Sequence, residues 1–276
     1  MPDADDAPHP NLQTRQIARA GVRVPPIIWE VAPEQVDRPE RAAIVEACVR
    51  LGASDFYLPA ATDPKTMERF AQSAAASNVL LGLHAEHLLP RGSPAARERL
   101  RAAGRARGLL LEDVASVELK GGRVFQRMAQ LRDDGLVQFL ALDASDVAAA
   151  EWMVEHTPAH AVCVPYGLAD QTAAYTLLGA AEELATAVFA RRPARATWAP
   201  PDAITDDLDL GFRVADARVT ACIEPLPGSV HELEARLRAA SDPMPASARE
   251  RWWSAFQQQV PAPPKPRGGH PPEFGA

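Results

Sequence analysis

No stretch of this 276-residue chain approaches the about 18 consecutive apolar residues that a membrane-spanning helix needs, so no membrane partner is expected. Basic residues do not cluster either. The net charge is −7 and no basic block exceeds a few residues, which argues against nucleic acid as a partner. Cysteine is scarce: Cys48, Cys163 and Cys222 lie far apart, each in an apolar run. That pattern reads as reduced, buried thiols in a cytosolic protein. The opening "MPDADDAPHP" is acidic and lacks the apolar core of a signal peptide, consistent with a cytoplasmic location. Gly121-Gly122 reads as a loop and not a phosphate cradle, because no GxGxxG or Walker pattern follows it.

What is present is a regular alternation. Residues 1–11 and 260–276 are polar or rich in Pro and Gly and are expected to be disordered, leaving 12–259 as one domain. Within it, short apolar runs at 26–31, 53–58, 78–84, 114–119, 136–143, 161–167, 186–192 and 219–225 read as strands. Helical patterns fall at 38–51, 64–76, 93–107, 122–134, 145–156, 170–183, 203–215 and 229–240. Ser93 and Ser145 stand at N-cap positions, and Gly135 is placed to end a helix. Eight strands, each followed by a helix, is the count of an α/β protein of the (β/α)8 barrel type. Strands apolar on both sides fit a parallel sheet covered by helices.

Four segments resemble the aldo-keto reductases, in the order that family has them. "TRQIARAGVRVPPI" is similar to the family's amino-terminal β-hairpin. "MAQLRDDGLVQFLALDAS" resembles its L-x-x-L-x-x-x-G-K-V-R-x-I-G-V-S-N, "VCVPYGLAD" its V-Q-x-x-Y-N-L-L-D, and "SVHELEARLRA" its S-P-E-H-L-E-E-N-L-x-A. The resemblance spans Thr14 to Gln258 and implies the same barrel, preceded by the hairpin. It also implies hydride transfer from NADPH by an Asp, a Tyr, a Lys and a His, yet all four positions differ here. Tyr57 stands for the Asp, Thr62 for the Tyr and His84 for the Lys, while Glu118 or Lys120 stands for the His. Threonine cannot supply the proton that a reduced carbonyl oxygen needs. The family's cofactor contacts are replaced as well, by Asp143-Ala144, Cys163 and Arg191. The loop after the eighth strand, "EPLPGSVHELEA", has three acids, two prolines and no basic residue before Arg236. A phosphate needs N–H donors and positive charge. No cofactor and no metal are therefore expected.

Active sites of such barrels sit at the carboxyl ends of the strands. Taken in order, those ends offer Glu30, Tyr57, His84 with Glu86, Glu118 or Lys120, Asp143, Tyr166, Arg191 with Arg192, and Glu224. The expected catalytic set is His84, Glu30, Tyr57, Asp143 and Tyr166, with Arg191, Glu86, Lys120 and Glu224 contacting substrate. His84 would be acid or base, oriented by Glu30 or Glu86, and His87 a surface or lid residue. The HxEH spacing is not that of the helical zinc motifs, and one inward histidine is too few for a typical zinc site. The expected chemistry is cofactor-independent proton transfer on a small carbonyl-containing metabolite: a dehydration, isomerisation or cyclisation of the kind found in specialised metabolism. Three alternatives stay open: an idle network of ion pairs such as Arg191 with Asp143, a ligand-binding pseudoenzyme, and a true NADPH-dependent reductase.

Overall fold

The computed structural model describes residues 12–36, 39–74, 77–112, 122–144, 146–193, 204–260 and 262. The expected tails fall almost wholly outside these. A hairpin of β1 (Arg15–Ile17) and β2 (Val22–Val24) opens the described chain, with Gly21 in the left-handed region at its turn. Eight parallel strands follow and close into a barrel: β3 (Ile27–Glu30), β4 (Asp55–Leu58), β5 (Asn78–Leu83), β6 (Ala106–Leu111), β7 (Phe139–Asp143), β8 (Ala161–Pro165), β9 (Ala187–Arg191) and β10 (Ala221–Pro225), with β10 pairing back to β3. The helices are α1 (Pro39–Arg50), α2 (Pro64–Ser73), α3 (Pro94–Ala103), α4 (Arg123–Asp133), α5 (Val147–His156), α6 (Leu177–Glu183), α7 (Asp206–Ala215), α8 (Val230–Ser241) and α9 (Ala246–Gln259). The expected (β/α)8 barrel with its hairpin is the observed fold.

Strand alternation divides the core in two. Ile28, Leu80, Leu110, Phe139, Phe189 and Ile223 fill the barrel interior, where Ile17 and Val24 of the hairpin join them. Trp29, Phe56, Leu81, Leu109, Leu142 and Val188, one residue out of phase, pack outward against the helices. All three cysteines are buried and free.

One strand differs from expectation. The run at 114–119 lies outside the described residues, and the fourth barrel strand is β6, pairing with β5 and β7. Leu110 points inward while Leu109 and Leu111 point outward, so "ARGLLL" satisfies both faces of the sheet. The helix expected to reach residue 107 ends at Ala103, where Gly104 adopts φ 72°. Gly135 stops α4 as expected, with φ 75°. Ser93 does precede α3, but its hydroxyl donates to Leu88 O instead of capping the helix. Ser145 lies outside the described residues, and the cap of α5 is Asp146, which accepts from Ala149 N at 2.8 Å. The expected helix 170–183 is a short 3-10 turn at Thr172–Ala174 followed by α6.

Candidate active site at the carboxyl ends of the strands

Glu112, the residue directly after β6, sits at the centre of the mouth. Its backbone N–H donates to Leu83 O at 2.8 Å, which continues the ladder one step beyond the strand. Its side chain follows Leu110 in alternation and so turns into the barrel. There Oε1 accepts from the Tyr57 hydroxyl and from Ala60 N at 2.7 Å. Oε2 lies 3.7 Å from His84 Nε2. Gly82 makes this seat possible: a Cβ there would overlap Glu112 Oε1 and the backbone of Pro59-Ala60. Arg99, buried on α3, donates to Ala60 O at 2.7 Å and fixes the loop that supplies that N–H.

A second group stands across the mouth. Arg191, at the end of β9, donates from Nη1 to Asp143 Oδ2 at 2.7 Å, and its guanidinium lies 5.0 Å from the centroid of the Tyr57 ring. Burial works against the Arg191 charge, but the neighbouring acids, Asp143 foremost, more than offset that and raise its pKa. Burial pushes the Tyr57 phenol well above its usual range; Arg191 opposes this, and Glu112 and Asp143 add to it. Tyr57 is thus a hydrogen-bond donor at neutral pH and not a phenolate. Burial also raises the Glu30 carboxyl, against the pull of Arg191. The Cys163 thiol is raised by burial too, so it stays protonated.

Of the expected site residues, Tyr57, His84, Asp143 and Arg191 gather at the mouth, with Glu30 close enough to Arg191 and Glu112 to share their field. Tyr166 and Glu224 do not join them. Ala161 and Cys163 of β8 and Ala221 and Ile223 of β10 point inward, so Pro165 and Pro225 take the last inward positions. Tyr166 lies behind the sheet, donating to Asp216 Oδ2 at 2.9 Å and packing on Phe212. Glu224, fully buried, meets Arg213 at 2.5 Å, Arg236 at 2.8 Å and Arg192 at 3.2 Å. Lys120 and Glu118 lie outside the described residues.

The stretch after β5 is not strand but a 3-10 turn, Ala85–His87, and this changes its geometry. Glu86 is largely exposed, 4.0 Å from His84 Nδ1. His87 folds back: its Nδ1 accepts from His84 N at 2.9 Å, and the two rings stack at 5.7 Å. His87 therefore braces His84 instead of forming a lid. The carboxylate beside His84 Nε2 is Glu112, not the expected Glu30 or Glu86. Glu112 falls between the helix predicted over 93–107 and the strand predicted over 114–119, so neither element points to it. Gly104 before "ARGLLL" and an acid directly after it were the available signals. Among the described residues, no group of three or more His, Cys, Asp or Glu side chains is placed to hold a metal ion.

The loop after β10 has also spent its polar groups. Gly228 N donates to Glu232 Oε2 at 2.8 Å, and Ser229 caps α8 by accepting from Glu232 N. Arg236 reaches Glu224, Asp206 and Glu232 at 2.8–3.0 Å. Arg192 joins Asp206 and Glu224. The guanidinium groups of Arg192 and Arg236 are thus engaged by acids, which weighs against their holding the phosphate of a nicotinamide dinucleotide.

No protein-family model matches the sequence, and no curated protein matches it. Solved structures do. An aldo-keto reductase from Klebsiella pneumoniae in complex with NADPH superposes with TM-score 0.71 at 15% identity, over 91% of this chain and 96% of that one. A thermostable aldo-keto reductase in complex with the inhibitor epalrestat gives 0.69 at 14%, over 88% and 99%. An aldo-keto reductase from Bacillus halodurans in its holo form gives 0.68 at 12%, over 88% and 96%. At such identities the likeness is one of fold.

Proposed function

We propose that this aldo-keto-reductase-type barrel performs proton-transfer chemistry without a nicotinamide cofactor, on a small carbonyl-containing metabolite, as a lyase, isomerase or cyclase. The observation that carries the reading is the position of Glu112 between Tyr57 Oη and His84 Nε2. An imidazole with a carboxylate beside Nε2 is the arrangement of a general base whose charged form is held in place. His84 takes a proton from the carbon next to the carbonyl. The C–H electron pair becomes the enolate, whose negative oxygen faces Arg191. The proton then returns from His84 to a different carbon, or to a leaving hydroxyl that departs as water. Tyr57 fixes the Glu112 carboxylate that steadies the imidazolium, and Asp143 holds Arg191.

Support for the absence of a cofactor comes from the β10 loop, where Glu232 occupies the amide that an anion would need and Arg236 is enclosed by acids. The test uses the full chain in deuterated water with a panel of small ketones, aldehydes and keto acids, and no nicotinamide. Mass spectrometry should find deuterium beside the carbonyl of at least one compound, and His84→Ala should abolish that incorporation. Turnover that occurs only when NADPH is added would establish the reductase reading in its place.

A further inference from the structure

His84 is the first residue past β5, and both of its backbone polar groups are held by one neighbour. Its N–H donates to His87 Nδ1 at 2.9 Å, and its carbonyl accepts from His87 N at 3.1 Å. The two imidazoles stack, with centroids 5.7 Å apart and planes 13° from parallel. The turn that carries His87 is itself tied down: Leu88 N and Leu89 N both donate to Ala85 O, and Ser93 Oγ donates to Leu88 O. His87 thus supplies an acceptor for the His84 N–H beyond the end of the strand.

This bond has a protonation requirement. A ring nitrogen that accepts cannot carry a proton, so His87 is neutral with its hydrogen on Nε2. The charged and titratable groups facing it are Arg99 from α3, His84 at the end of β5 and Glu86 in its own turn. Burial first, then Arg99 and His84, hold its pKa below the ordinary histidine value, with Glu86 opposing. Two stacked imidazolium rings would repel each other, and Glu112 Oε2 lies 3.7 Å from His84 Nε2, so the first proton taken up by the pair goes to His84. A second proton, on His87 Nδ1, sets two N–H groups against each other and breaks the bond.

We infer that His87 is a positioning residue that holds His84 only while neutral, so that its protonation in acid releases His84 and switches the mouth off. The consequence for activity rests on the proton-transfer reading of the mouth; the hydrogen bond and its loss do not.

Nuclear magnetic resonance on the full chain reads the bond itself. Well above about pH 6.5, the ordinary histidine value, the His87 ring should be the tautomer protonated on Nε2. As pH falls, the His84 amide proton should shift upfield in step with the His87 ring. In His87→Asn, whose Oδ1 takes the place of Nδ1 and accepts at any pH, that step should vanish. In His87→Ala the amide should stand upfield throughout. Deuterium exchange reads the consequence. The logarithm of the wild-type rate should fall in acid with a limiting slope of two, one proton for His84 as base and one for His87, and that of His87→Asn with a slope of one. His87→Ala should run about tenfold slower than His87→Asn near neutrality, the worth of one hydrogen bond. A His87 ring protonated on Nδ1 in base, a His84 amide indifferent to the His87 titration, or a slope of one in the wild type overturns the switch. A wild type that exchanges with no compound at any pH overturns the proton-transfer reading alone, because the amide and ring signals still decide the bond.

Discussion

Glu112 and Glu224 are the same residue type at neighbouring heights in one barrel, and they do opposite things. Glu224 alternates outward, is fully buried, and is met by three arginines within 3.2 Å. Glu112 alternates inward, keeps 15% of its side chain exposed, and is met by a phenol, an amide and an imidazole. The first is surrounded by permanent charges that cannot change protonation near neutrality. The second touches an imidazole. Neither acidity nor strand-end position identifies a chemical group here; the face of the sheet decides, because it sets which partners the carboxylate meets.

Breaking each cluster should separate them. Glu224→Ala leaves Arg213, itself fully buried, with Asp209 as its one remaining ion-pair partner among the described residues. Removing one partner of a buried ion pair generally costs about 3–5 kcal/mol, so urea unfolding should show a loss of that order while any proton-exchange activity of the surviving fold persists. A neutral result would mean that the arginines rearrange freely, and the contrast with Glu112 would lose its basis.

Glu112→Gln and His84→Ala form the reciprocal case. If the pair transfers protons, each should lower the exchange rate about a hundredfold, with unfolding free energy nearly unchanged. Variants that melt early yet keep full activity would make Glu112 a structural residue of the same kind as Glu224.

The smallest expected effect concerns Glu30, whose carboxyl is raised by burial despite Arg191. A raised folded-state value means the folded chain holds that proton more tightly than the unfolded one. Its contribution is therefore favourable in acid and is lost as pH rises through the ordinary glutamate range and above it. Thermal melts of Glu30→Gln and the wild type should converge near about pH 4 and diverge towards about pH 7, with the variant the more stable there. Divergence of the opposite sign would mean that pairing with Arg191 outweighs burial.

The fold was legible because eight short apolar runs alternating with helical patterns leave few architectures, and the hairpin followed from resemblance. The mouth was legible wherever the strand's phase was unambiguous: Tyr57, His84, Asp143 and Arg191 arrive together. It was misread where phase depended on the last residue, since a strand ending at Pro165 or Pro225 turns Tyr166 and Glu224 to the far face. Glu112 was hidden for a different reason. Arg, Ala and Leu favour helix as readily as strand in a short run, so 106–107 read as the end of the helix from 93, and 108–113 fall between it and a strand expected at 114–119. The ion-pair network around Glu224 could not be foreseen, because Arg192, Arg213 and Arg236 come from three separate elements.

The most direct test of a barrel that has left nicotinamide chemistry is calorimetric titration of the full chain with NADPH. With Glu232 on the Gly228 amide, Arg236 among acids and Arg191 filling the end of β9, no saturable binding should appear up to about 1 mM. A micromolar dissociation constant would contradict it.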